Sequence, residues 1–283
     1  MKPHRFPSLR SALVHGVIAF LALTSFSLAI EIRGYDKDVH KWLEDFPGEW
    51  LYGHPPRLNP KFKTIDPAKL LGVGWPEDGK EWTRQCALVS PIHILYATHH
   101  KFDPRWKINF LGKDGKVTRH AIASQTPVTN SKGEKTDLLL VKLATPVPDA
   151  TIYKVLWLDR EEDYLHKPLV VCGSFVDVGI SRIDGFLALP HEPGLNTTWF
   201  LHFDYYGKST DDPARNCAIK PGDSGGPVFV RMENGDLALV GIISGYDPLP
   251  NNGDRSYASS IPTYFRQIDA LMEKDGYRLT SCR

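Results

Sequence analysis

Gly222-Asp223-Ser224-Gly225-Gly226-Pro227 is the stretch on which the fold of this chain turns. A serine hydroxyl is a poor nucleophile unless a base takes its proton and donors stabilise the oxyanion that forms. Glycines on both sides let the backbone turn so that successive N–H groups point into one small hollow. A glycine-rich loop that only makes a turn would use the same residues, so the hexapeptide needs partners elsewhere in the chain.

Two stretches offer them. His93-Ile94-Leu95-Tyr96-Ala97-Thr98-His99 is a β run that ends on a histidine and passes into a polar loop. Thr136-Asp137-Leu138-Leu139-Leu140-Val141-Lys142-Leu143 sets an aspartate at the start of an apolar strand. Each residue has a plainer reading. His99 could sit in a core, and His93, His99 and His100 could suggest a metal site. On a strand, however, His93 and His99 share a face while His100 points away. Asp137 could cap a strand, but the apolar run behind it needs no charge, whereas pairing with His99 explains one. Taken with Ser224, these residues form a nucleophile, a base and an orienting acid: His99, Asp137 and Ser224 are the expected catalytic triad.

Outward from these motifs, short β-rich runs recur at Cys86–Val89, Ile92–Thr98, Lys107–Leu111, Val117–Ile122 and Leu138–Leu143. A second series follows at Leu169–Gly173, Thr198–Phe203, Pro227–Met232 and Leu237–Ser244. Turn signals such as Lys113-Asp114-Gly115 and Glu233-Asn234-Gly235 fall between them, which argues for an all-β sandwich or barrel pair. Tyr264, Phe265, Ile268, Leu271 and Met272 then line one face of a helix that starts near Pro262 and ends before Gly276. Upstream, Val39, Trp42, Leu43 and Phe46 predict a short amphipathic helix over 36–46. Six prolines between residues 47 and 76 predict extended, irregular backbone, either a pro-segment or a strap across the main domain.

The motifs resemble those of the chymotrypsin (trypsin-like) serine protease family, W-V-L-T-A-A-H-C, D-I-A-L-L-K-L and G-D-S-G-G-P, in the same order. Gly241-Ile242-Ile243-Ser244-Gly245 looks like that family's G-I-V-S-W-G strand beside the substrate cleft. Tyr257-Ala258-Ser259-Ser260-Ile261 looks like its Y-T-x-V ending. The resemblance covers about residues 84–274 and implies an all-β fold of two antiparallel six-stranded β-barrels with a C-terminal helix. The first barrel would span about 84–150 and the second about 165–262, with the helix at 263–274. An N-terminal extension at 30–83 and a tail at 275–283 would flank them. The resemblance further implies that Gly222 and Ser224 amides hold the oxyanion and that Ser244 supports Asp137. It places Ala218, Ile243, Gly245, Tyr246 and Arg255 around the substrate pocket, with neither metal nor organic cofactor required. Ala218 at the floor argues against selection of Arg or Lys, and Tyr246 narrows an apolar pocket. Arg255 would instead favour acidic side chains if it projected inward.

There are departures from the pattern. His100 stands where the family has a cysteine, and no Ile-Val-Gly-Gly activation site precedes the first barrel. In the family the aspartate of GDSGGP pairs with a freshly cut N-terminal amine, so Asp223 must find another cation. Activity without such an insertion is the expectation, although cleavage after Ala29 would expose Ile30, a residue type able to bury beside Asp223.

Composition narrows the setting. The formal net charge is +1, so the chain has no general attraction for nucleic acid or anionic lipid. Lys2, Arg5 and Arg10 precede an apolar stretch, and Ser27-Leu28-Ala29 fits a signal-peptidase site. Residues 1–29 are therefore expected to be a cleaved export signal, the rival being an uncleaved anchor. Cys86, Cys172, Cys217 and Cys282 then permit disulfides, with buried free thiols as the alternative. A secreted or periplasmic serine endopeptidase acting on protein or peptide substrates is the leading expectation. The rivals are a catalytically silent homologue that binds proteins through the cleft and an esterase using the same triad.

Overall fold

Apolar runs punctuated by turn residues fold here as strands. The computed structural model describes residues 30–46, 53–77, 84–190, 197–206, 212–249 and 253–283, so the expected export signal lies outside the described residues. The chain opens with β1 (Glu31–Ile32), one helical turn α1 (Lys37–His40), β2 (Leu43–Glu44) and β3 (Arg57–Leu58). The helix predicted over 36–46 stops at His40. Lys41 leaves it to bridge Asp177, and Leu43 and Glu44 pair with Leu58 and Arg57. Trp42 and Leu43 are buried nonetheless. Their spacing reflects packing against the core rather than a helical face.

Six strands then close a barrel: β4 (Val73–Glu77), β5 (Cys86–Ser90), β6 (His93–Tyr96), β7 (Lys107–Leu111), β8 (Val117–Thr129) and β9 (Lys135–Leu143). They run in the order β4-β5-β6-β9-β8-β7. The barrel therefore begins about ten residues before the expected boundary at 84. Pro76 hid β4 in the sequence. It is tolerated because Val73 and Gly74 pair with β5 while Trp75, Pro76 and Glu77 pair with β7, so the missing N–H faces no second ladder.

The second unit uses β10 (Lys154–Leu156), β11 (Pro168–Cys172), β12 (Val178–Arg182), β13 (Gly185–Leu189), β14 (Thr198–Tyr205), β15 (Cys217–Ala218), β16 (Pro227–Arg231), β17 (Leu237–Leu249) and β18 (Gly253–Ser260). Helix α2 (Phe265–Glu273) and β19 (Ser281–Cys282) follow. Seven strands curl in the order β12-β11-β16-β17-β18-β14-β13 as a half-barrel, and β15 pairs instead with β1. The expected C-terminal tail is ordered too, with β19 running parallel to β10. A closed six-stranded barrel beside a curled half-barrel, with one C-terminal helix, is consistent with a chymotrypsin-like fold.

Packing explains the unbroken apolar run of β9. Leu139, Val141 and Leu143 fill the barrel, while Leu138 and Leu140 face the seam between the units. Both faces of the strand are buried, so no polar alternation survives. The seam also collects Trp42, Leu95, Val170, Phe229 and Ile242. All four cysteines are free thiols, so the permitted disulfides are not formed. Cys86 packs in the barrel core, Cys172 in the seam and Cys217 in the half-barrel core. Among the described residues, no helix is long and apolar enough to cross a membrane.

Candidate active site

Strands β6 and β9 are ladder neighbours, with Tyr96 opposite Leu139. Just past the end of that ladder, His99 on a 3-10 turn and Asp137 at the start of β9 meet. The His99 backbone N–H donates to Asp137 Oδ1 at 3.0 Å, and Nδ1 lies 2.8 Å from both carboxylate oxygens. With Nδ1–H committed to the carboxylate, Nε2 is left as the acceptor. It lies 3.0 Å from Ser224 Oγ. The three residues expected as a triad are thus brought together in one hydrogen-bonded line.

Asp137 is fully buried, and the half-barrel grips it. Its backbone N–H donates to Thr198 Oγ1 at 3.1 Å, its carbonyl accepts from Ser259 Oγ at 3.3 Å, and its carboxylate accepts from Ser244 Oγ. Ser244 makes the contact that the resemblance implied. Thr198 and Ser259 escaped notice, and their only signal was a hydroxyl embedded in an apolar strand. They sit on adjacent strands, where Phe200 pairs with Ser259.

The turn that carries Ser224 needs its glycines. Gly222 and Gly225 have φ of 103° and 95°, a region costly for side-chain-bearing residues. A Cβ on Gly225 would stand 1.9 Å from Cε2 of the Tyr96 ring. The amide of Asp223 donates to the Lys220 carbonyl, that of Gly225 to Ile243 and that of Gly226 to Asp223. Among the described residues, the amides of Gly222 and Ser224 donate to no carbonyl, which leaves both for an oxyanion.

The other histidines are placed elsewhere. His93 is buried between Ser90 Oγ at 2.7 Å and Asp275 Oδ2 at 3.0 Å, and burial holds its pKa down. The His100 ring lies beside that of His99, tilted by 48° with centroids 4.5 Å apart. Burial, then Arg84 and His99, push its pKa down to about 4. Among the described residues, no group of three His, Cys, Asp or Glu side chains is gathered for a metal.

Asp223 is wholly buried. Its Oδ1 accepts from the Ser174 amide at 2.6 Å and the Ser174 hydroxyl at 2.7 Å, and its Oδ2 from the Lys220 amide at 2.7 Å. Burial pushes its pKa up to about 6. A Cβ built on Gly173 would stand 2.6 Å from the Cβ of Ile30 and 2.9 Å from Asp223 Oδ1. Ile30 and the carboxylate therefore flank the same glycine. From there Glu31 pairs with Ala218 and binds Lys220 Nζ at 2.9 Å.

Of the residues expected around the pocket, Ala218 is buried on β15, and Ile243 pairs with Ala258 across β17 and β18. The buried hydroxyl of Ser256 accepts from the Ile219 amide at 3.1 Å. Gly245 pairs with Tyr257 at the bulge in β17, and Tyr246 is exposed beneath the Lys220 ammonium, 5.8 Å from its ring centroid. Arg255 is held by a charge of its own. Strand alternation puts it on the face opposite Ser256, where Asp204 binds it in a bidentate pair at 2.8 and 2.8 Å. No protein-family model matches the chain, and no curated protein is similar enough to count as a relative.

Proposed function

We propose that the chain is an exported serine endopeptidase that cleaves peptide bonds through an acyl-enzyme intermediate. The observation that carries this is the continuous relay from buried Asp137 through His99 to Ser224, with 2.8 and 3.0 Å links. Ser224 Oγ attacks the scissile carbonyl while His99 Nε2 takes its proton. Asp137 keeps the imidazole in the right tautomer and balances the imidazolium that forms. The Gly222 and Ser224 amides hold the oxyanion. The imidazolium then protonates the leaving amine, and water, activated by the same base, releases the acyl group. No electron acceptor or metal enters this balance.

The cleft favours a small or medium apolar side chain. Ala218 and Ile243 supply no charge, Tyr246 crowds the entrance, and Arg255 is already neutralised by Asp204. Export with cleavage before Ile30 would deliver the enzyme to a secreted or periplasmic location. Labelling with a fluorophosphonate tests the assignment: the wild-type chain should take up one probe molecule per chain and Ser224→Ala none. Equal labelling of the two proteins overturns it. Turnover of peptide against simple ester substrates separates the endopeptidase from an esterase.

A further inference from the structure

Beyond the triad, the most constrained backbone lies between Cys172 and Asp177. Phe175 and Val176 both adopt left-handed conformations, at φ 56° and 60°. Such angles are uncommon for any side-chain-bearing residue and rarest for a β-branched one. The turn persists because something outside it holds it. Lys41 Nζ donates to the Phe175 carbonyl at 2.7 Å, and the Trp42 amide donates to the Val176 carbonyl at 3.1 Å. Both carbonyls of the left-handed pair are thus bound by the N-terminal strap. The same ammonium lies 3.2 Å from Asp177 Oδ1 and 5.7 Å from the Phe175 ring centroid. Tyr35 adds its hydroxyl to Asp177 Oδ1 at 2.9 Å.

At its other end the turn meets the catalytic loop. Ser174 gives both its amide and its hydroxyl to Asp223 Oδ1. Asp223 stands between Gly222 and Ser224, whose amides are the oxyanion donors. A chain of contacts therefore runs from Lys41 through the turn to Asp223 and the two amides.

We infer that Lys41 is a positioning residue for the oxyanion loop, the strap at 35–42 clamping the left-handed turn at Phe175–Val176 so that Ser174 fixes Asp223. This rests on the hydrolase reading above. A donor displaced from the oxyanion costs transition-state stabilisation and spares ground-state binding. Lys41→Met keeps the alkyl stem and removes the ammonium. It should lower kcat about 10–100-fold while KM changes less than about 2-fold. Lys41→Arg, which keeps a cationic donor, should recover most of the rate. Phe175→Gly added to Lys41→Met should also restore turnover, because glycine adopts the left-handed turn without a clamp.

Wild-type labelling by a fluorophosphonate comes first, since its absence at Ser224 overturns the hydrolase reading itself. If the wild type labels but Lys41→Met keeps its kcat, or Phe175→Gly restores nothing, the positioning role falls alone. Should Lys41→Met fail to fold, Tyr35→Phe decides. It removes one bond to Asp177 and should lower kcat about 2–10-fold at constant KM. An unchanged kcat there overturns the role equally.

Discussion

A chain that begins at Ile30 should be about 3 kcal/mol more stable near neutral pH than one that retains Ser27-Leu28-Ala29 ahead of it, with the gap narrowing in acid. The magnitude comes from Asp223, whose pKa burial raises from 3.8 to about 6 when no ammonium stands beside it. At about 1.4 kcal/mol per pKa unit, that shift costs the folded state about 3 kcal/mol once the carboxylate is ionised. Below about pH 4 the carboxyl is protonated in both folded and unfolded chains, and the cost is absent. Between about pH 4 and pH 6 the folded chain keeps a proton that the unfolded chain releases, so stability falls as pH rises. Above about pH 6 the loss levels off. An ammonium at Ile30, which shares Gly173 with Asp223, draws the folded pKa back down and removes this fall.

Urea unfolding of the two chains, followed by tryptophan fluorescence from about pH 4 to pH 7, measures the difference directly. Gly173→Ala in the shorter chain is the internal control. Its Cβ would crowd Ile30 at 2.6 Å, so it should reproduce the pH profile of the extended chain. Turnover should follow stability, because Asp223 lies inside the oxyanion loop. Parallel stability curves for the two chains, offset by a constant, would refute the reasoning, since a pH-independent difference cannot come from Asp223.

Ser244→Ala removes a hydroxyl that binds the Asp137 carboxylate and should lower kcat/KM about 10–100-fold, as expected for a hydrogen bond to a charged group. Thr198→Val leaves the buried Asp137 amide without its acceptor, and chemical denaturation should show a loss of about 1–3 kcal/mol. Arg255→Ala should leave the side-chain preference of a peptide library unchanged, because its guanidinium is spent on Asp204. A switch away from acidic residues would show that it faces substrate after all.

Local pattern carried much of this protein. The spacing of apolar residues over 264–272 already marked helix α2, and the three motifs marked His99, Asp137 and Ser224. Short apolar runs marked most strands, because strand and helix faces are set by neighbours two to four residues away. What the sequence alone could not determine was partnership across the chain. The apolar period at 39–46 reads as a helix, yet Lys41 leaves α1 to bridge Asp177, more than a hundred residues on. Pro76 argued against a strand until two different neighbours divided β4 between them. Arg255 was a candidate for the pocket, but that strand register would set it against Asp204 could not be read from its own stretch. Thr198 and Ser259 became supports of Asp137 only when the two units closed on each other, and Ile30 became the neighbour of Asp223 only when β1 paired with β15. A side chain's face follows from local geometry, but the group it meets there is chosen by long-range pairing, which no short stretch of sequence encodes by itself.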